Sequence, residues 1–214
     1  MNHLIITGGS GGLGQAIVRE FTRSSWQIVA PARSDLDVTD PQAIQSFFKG
    51  RQVDLLVCAA GLIRDAPLAR LNEAAWDEVL AVNYQGPAAC AAAVLPGMIA
   101  RKQGHIVFLS SYSALHPPVG QLAYATAKAG LLGLAQSLSR ENGCHGIRVN
   151  AILPGFLETP MTESVPGIRK AEILADHALG RFNTSASVAK FIRFLHEELP
   201  HTSGQAFQLD SRES

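Results

Sequence analysis

Charge of either sign is scarce in this chain: 18 Lys and Arg stand against 18 Asp and Glu, 17% of 214 residues, for a formal net charge of zero. So even a balance gives no electrostatic reason to bind nucleic acid or an anionic membrane, and neither is an expected partner. Cysteine is scarce too. Cys58, Cys90 and Cys144 show no paired spacing, which argues against a disulfide framework or a thiolate metal site; a metal-free protein in a reducing cytoplasm is expected. Long apolar runs are also missing. His3-Leu4-Ile5-Ile6 passes straight into a glycine-rich turn, without the charged and apolar regions of a secretion signal. Ala88 to Ala100 is too short to cross a bilayer and is expected to break at Pro96 and Gly97, so no membrane span is expected. No repeat, low-complexity tract or linker divides residues 1–214, which are read as one domain.

What the chain does have is apolar mass, 47% of its residues, enough for one substantial core. Short apolar runs at Leu4–Thr7, Gln27–Pro31, Asp54–Cys58, His105–Ser110, Arg148–Leu153 and Ala206–Leu209 alternate with longer helix-like segments. That alternation predicts a single-domain α/β fold: a doubly wound parallel sheet with helices on both faces. Asp40-Pro41 reads as a helix start, with the acid as cap and proline in the first turn, and Gly50 as its stop.

Thr7-Gly8-Gly9-Ser10-Gly11-Gly12-Leu13-Gly14 sits between the first strand and a helical pattern. Glycines there allow a sharp turn and a close approach of backbone to a pyrophosphate, which the helix N-terminus favours. After the second strand comes Ala30-Pro31-Ala32-Arg33. With no acid before it, Arg33 is expected on a ribose 2′-phosphate, favouring NADP(H) over NAD(H), although Asp35 and Asp37 lie close by.

Tyr124 and Lys128 are four residues apart at the start of a helical run, so they share a face. A phenol with an ordinary pKa of about 10 needs a shift of roughly 3 units to work near neutral pH, and a nearby ammonium pushes it that way. Ser111, at the carboxyl end of a strand, is placed to hold a carbonyl oxygen beside the phenol; Ser110 and Ser113 compete for that role. Asn83 is a mid-helix asparagine able to open the helix locally and hold water in a relay to Lys128.

These residues resemble the short-chain dehydrogenase/reductase family: the Thr7 to Gly14 turn, Asn83, Ser111, Tyr124-x-x-x-Lys128 and Pro154-Gly155, with thirteen positions separating Ser111 from Tyr124. The resemblance covers almost the whole chain. It implies a Rossmann-type sheet, a catalytic tetrad of Asn83, Ser111, Tyr124 and Lys128, and a dinucleotide held by Thr7, Gly8, Gly9, Ser10, Gly12, Leu13, Gly14, Arg33, Asp37, Val38, Ala60, Gly61, Tyr124, Lys128, Pro154, Gly155 and Thr159, the last at the nicotinamide carboxamide. Within the family the chain is most similar to 3-oxoacyl-acyl-carrier-protein reductases, through Ala60-Gly61-Leu62-Ile63-Arg64-Asp65, Gln121-Leu122-Ala123-Tyr124 and Pro154 to Met161.

Four departures stand out. The segment after the second strand is short, so the adenine side is expected to be open. Cys58 replaces a family asparagine. Lys102 and His145 stand where the ketoacyl reductases often place carrier-docking arginines. Leu209-Asp210-Ser211-Arg212 replaces a terminal Asp-Gly-Gly, with altered tetramer contacts as the expected consequence.

The resemblance therefore implies an NADPH-dependent ketoreductase acting on a 3-oxoacyl thioester of acyl carrier protein or coenzyme A. The alternatives are a reductase of a small ketone or polyol and a non-catalytic NADP(H)-binding sensor or scaffold. Residues 157–180 are expected to form a mobile cover, with Phe156, Leu157, Met161, Val165 and Ile168 either meeting an acyl chain or packing on the core. Apolar faces on Leu71 to Ala100 and Leu122 to Asn142 resemble the family's dimer interface and imply a homodimer or homotetramer.

Overall fold

In a computed structural model describing residues 1–212, the strands are β1 (Asn2–Thr7), β2 (Trp26–Val29), β3 (Leu55–Cys58), β4 (Gly104–Leu109), β5 (Ile147–Leu153) and β6 (Ala206–Gln208). All pair in parallel, in the order β2-β1-β3-β4-β5-β6. Between them lie α1 (Gly12–Phe21), α2 (Pro41–Phe48), α3 (Glu73–Leu80), α4 (Gly86–Arg101), α5 (Leu122–Asn142), α6 (Gly167–Ala175) and α7 (Ser185–Glu197).

The strands are apolar nearly throughout because both faces are covered. Ile5, Leu56, Cys58, Ile106, Phe108 and Val149 point to one side, with Cys90, Val94 and Met98 of α4 and Leu131 of α5. Leu4, Ile6, Leu55, Val57, Val107 and Ile152 point to the other, with Ile17 and Phe21 of α1 and Val188 and Ile192 of α7.

The usual doubly wound order is 3-2-1-4-5-6. Among the described residues the outermost strand of the first half is absent: β2 is an edge, and α2 carries the chain over β1 directly to β3. The shortening expected after the second strand is thus the loss of a strand. Asp40 caps α2 as expected, accepting from the N–H of Gln42 at 2.8 Å and of Ala43 at 3.2 Å. Because the chain leaves β1 toward β2 on one side and resumes at β3 on the other, the carboxyl ends of β1 and β3 flank a switch point, where such sheets open a ligand crevice.

One expectation is corrected. Pro96 and Gly97 do not break their helix: α4 runs through both to Arg101. The wider helical stretch Glu73–Arg101, 29 residues with an 18-residue window of mean hydropathy 1.2, is long and apolar enough to cross a membrane by length and composition. Its α4 portion instead packs Cys90, Ala91, Val94 and Met98 into the core. A proline only five residues from the helix end forfeits one hydrogen bond, to Ala92, and the packing of those side chains outweighs it.

Candidate active site

The glycine turn lies at the switch point. Gly8, at φ +72°, sits so close to β3's exit that a Cβ there would fall 2.6 Å from Ala60 Cα, and a Cβ at Gly14 would strike the Gly8 carbonyl. Backbone bonds Ala59 N–H to Thr7 O, 3.1 Å, and Gly11 N–H to Gly8 O, 3.0 Å, set this geometry. The amino end of α1 therefore opens onto the crevice, with Ala60 and Gly61 as its other wall. Thr159 comes over it from the far side: a Cβ at Gly12 would lie 3.1 Å from Thr159 Cβ. Thr159 is fixed by its own turn, its N–H donating to Thr162 Oγ1 at 3.0 Å.

Beside the glycine turn, toward the end of β2, a pocket of about 320 Å³ opens next to Gly9, Ser10, Arg19, Ala30 and Ala32. Arg33 projects into solvent nearby and pairs with Asp37, Nε to Oδ2 3.4 Å. The Asp37 carboxylate is itself occupied by the N–H and hydroxyl of Thr39, at 2.9 and 2.7 Å, which with Arg33 hold its pKa below the usual value. Val38 is buried against Gly86. A larger groove of about 790 Å³, lined by Lys49, Arg51 and Arg101, lies at the amino ends of β3 and β4, away from this crevice.

Ser111 leaves β4 and caps a short turn at Tyr112–Ala114, accepting from Ser113 N–H at 3.1 Å. Tyr124 and Lys128 lie on α5 as the spacing predicts. Burial pushes the Tyr124 phenol up to about 12; the Ser111 hydroxyl, in hydrogen-bonding range, pulls it down, and the Asp65 carboxylate raises it. Lys128 is lowered to about 8, chiefly by burial. Its Nζ donates to Leu109 O at 2.8 Å and stands 5.6 Å from the Tyr124 ring centre. The expected descent of the phenol toward neutrality is therefore not seen in this arrangement, because burial of the phenol, with the Asp65 carboxylate, outweighs the hydrogen bond with Ser111.

The unwinding expected at Asn83 is present: Ala81–Gln85 is a π-helical turn between α3 and α4. Fully buried, Asn83 accepts from Leu62 N–H at 3.2 Å and donates to Leu62 O at 2.8 Å and Val79 O at 2.9 Å. Gly61 lies between Asn83 Oδ1 and Lys128 Nζ, 3.1 and 3.9 Å from where its Cβ would be. Pro154 and Gly155 follow β5; Pro154 O accepts from Asn183 Nδ2 at 3.0 Å.

Some expectations divide. Leu157 is core, whereas Met161 and Ile168 are exposed and Phe156 packs on Phe182. Lys102, exposed, and His145, half-buried, lie at the amino ends of β4 and β5, the opposite edge of the sheet from Tyr124. Sequence reasoning gave no role to the strap across the site, in which Ser113 Oγ donates to Gln121 Oε1 at 2.9 Å and Gln121 Nε2 to Asp65 at 2.8 Å. Nothing but three-dimensional proximity links these residues.

A sequence model of the family described as Enoyl-(Acyl carrier protein) reductase matches residues 15–211. The 3-oxoacyl-[acyl-carrier-protein] reductase FabG of Thermotoga maritima is 34% identical, over 96% of this chain and 95% of its own length; that of Escherichia coli K12 is 30% identical over 96% and 94%. An oxidoreductase of the short chain dehydrogenase/reductase family from Burkholderia thailandensis superposes with a TM-score of 0.89 at 30% identity, covering 98% of this chain and 91% of that one. A Beutenbergia cavernae protein, provisionally described as an NAD(P) dependent gluconate 5-dehydrogenase and carrying NADP at low occupancy, superposes with a TM-score of 0.94 at 26% identity, covering 98% and 95%.

Proposed function

The chain belongs to the short-chain dehydrogenase/reductase family, and on that premise we propose that it is an NADP(H)-dependent ketoreductase whose proton donor is Tyr124. The observation that carries this reading is the convergence of Ser111, Tyr124 and Lys128 at the carboxyl end of β4, across β3 from the glycine turn.

The residues present fit a dinucleotide. The close-packed Gly8 and Gly14 turn, the open amino end of α1 and the pocket beside Ser10 and Ala30 suit a pyrophosphate and an adenosine. Arg19 at that pocket and Arg33 beside it would be the cations for a 2′-phosphate, and Thr159, close over Gly12, would meet the carboxamide. A bound nicotinamide supplies the hydride.

Tyr124 gives its phenolic proton to the carbonyl oxygen during reduction, and the Ser111 hydroxyl donates a hydrogen bond to the same oxygen. Lys128, near the ring, favours the phenolate left behind and passes it a proton that solvent then replaces; with a dinucleotide bound it would also hold a ribose hydroxyl. Asn83 holds the Leu62 backbone and the adjoining Gly61 against Lys128, keeping the ammonium's surroundings fixed. With burial raising its pKa, the phenol is protonated at neutral pH and enters the reduction in its acid form.

The relatives named for 3-oxoacyl-acyl-carrier-protein reduction favour a 3-oxoacyl thioester as substrate. Lys102 and His145, at the far edge of the sheet, lend no support to carrier docking beside this chain's own Tyr124. The neighbour described as a gluconate dehydrogenase supports a second reading, a small ketone or polyol. Pairing through α4 and α5, whose Leu95, Ile99, Leu132 and Leu138 are only partly buried, would give a homodimer or homotetramer, measurable by light scattering.

The deciding experiment follows nicotinamide absorbance with NADPH and NADH against acetoacetyl thioesters of both carriers, a crotonyl thioester and simple ketones. Reduction of the acetoacetyl thioesters with NADPH is expected. Turnover of the crotonyl thioester alone would make the protein an enoyl reductase and overturn the reading.

A further inference from the structure

The tail after β6 turns back over the site. Leu209 N–H continues the ladder to Leu153 O at 2.9 Å. The Asp210 side chain is wholly buried against Gly155, whose φ of +81° and lack of a Cβ make room for it. Arg212 grips Asp210 Oδ2 through both Nε and a terminal nitrogen at 2.6 Å, and lays its guanidinium over Tyr112, 3.4 Å from the ring centre. Tyr112 is the residue after Ser111 and opens the turn that Ser111 caps; its ring also stacks on His116 at 4.5 Å.

The same tail holds the cover. Ala178 N–H donates to Ser211 O at 2.9 Å, Leu179 N–H to Ser211 Oγ at 3.2 Å, and His177 and Arg212 form an antiparallel bridge. The buried His177 ring rests on Phe182, its Nε2 3.8 Å from Asp210. Two separate parts of the site, the turn carrying Ser111 and the segment after α6, are thus fastened to four consecutive tail residues.

We propose that Arg212 is a positioning residue: by clamping Tyr112 it fixes the aim of the Ser111 hydroxyl and links it to the seating of the substrate cover. The guanidinium is only 9% exposed, so its stacking is little weakened by water, and its planar fork grips Asp210 and covers a ring at once, which a lysine cannot do. Only the activity readout rests on the ketoreductase reading.

The test compares Arg212→Ala, Arg212→Lys and Tyr112→Leu. It measures kcat, KM for the carbonyl substrate, cofactor affinity, and amide hydrogen exchange in segments 112–116 and 177–180. Arg212→Ala should lower kcat about 10- to 100-fold by misplacing Ser111, leave cofactor affinity unchanged, and speed exchange in both segments together. Arg212→Lys should recover only part of this. Arg212→Ala added to Tyr112→Leu should cost clearly less kcat than the two single losses combined, the remainder coming from the released Asp210 and cover. Unchanged kcat and exchange in Arg212→Ala, additive losses in the double variant, or full rescue by lysine would overturn the proposal. If Arg212→Ala fails to fold, the lysine and Tyr112 variants decide. If wild-type turnover proves independent of Tyr124, the ketoreductase reading fails while the exchange result still judges the clamp.

Discussion

The Ser110 hydroxyl donates to the carbonyl of Lys128 at 2.8 Å, and the Lys128 ammonium donates back to the carbonyl of Leu109, also at 2.8 Å. This reciprocal, buried pair ties the end of β4 to α5 and so fixes where Ser111 stands relative to Tyr124. Ser110, a rival to Ser111 in the sequence, thereby has a structural task.

The two serines should therefore separate by experiment. Ser110→Ala removes a buried hydrogen bond and is expected to lower stability by about 1–2 kcal/mol, with a modest fall in kcat. Ser111→Ala loses a turn cap on a half-buried residue and should lower stability by about 1 kcal/mol at most, but lower kcat about 100-fold or more, by loss of a donor to the developing oxyanion. Thermal melts and steady-state kinetics on both variants check this.

Acid sensitivity has a definite source. Asn150 Nδ2 donates to His105 Nε2 at 3.1 Å, so His105 carries its proton on Nδ1 and donates to His196 Nδ1 at 3.3 Å. Burial, with the nearby Arg148 charge, holds His105 well below the usual value and His196 down to about 4. Both rings are neutral in the folded state and take up protons on unfolding. Stability should be complete above about pH 6.5 and fall as pH drops toward 4, by about 1.4 kcal/mol per pH unit for each proton. Denaturant melts across that window measure the slope, and His196→Gln should flatten it.

Cofactor choice is tested at the β2 edge. Arg33 must leave or share Asp37 to meet a 2′-phosphate, so Arg33→Ala is expected to raise KM for NADPH about 10-fold, roughly one surface charge contact of 1.4 kcal/mol, with little change for NADH. Equal effects on both cofactors would remove Arg33 from the 2′-phosphate site.

All six strands were legible in the sequence because each is a short apolar run covered on both faces, and the α2 cap because Asp40-Pro41 is a local signal. The helical spacing of Tyr124 and Lys128 and the helix opening at Asn83 were legible for the same reason: each depends on neighbours a few residues away. The continuity of α4 through Pro96 was not, since tertiary packing decided it against local preference. The pairing of Arg33 with Asp37, the Asp65–Gln121–Ser113 strap and the return of Arg212 onto Tyr112 were also hidden. The latter two join residues far apart in the chain, and no periodicity records them. The phenol's high pKa was missed because spacing shows which charge is near but not how dry the site is.

The most direct test is Tyr124→Phe, which deletes one oxygen and keeps the ring against Lys128. With cofactor affinity and melting temperature held, kcat for carbonyl reduction is predicted to fall about 100- to 10,000-fold, the range for loss of a general acid. A folded Tyr124→Phe protein that binds NADPH and reduces the carbonyl at the wild-type rate would contradict the account.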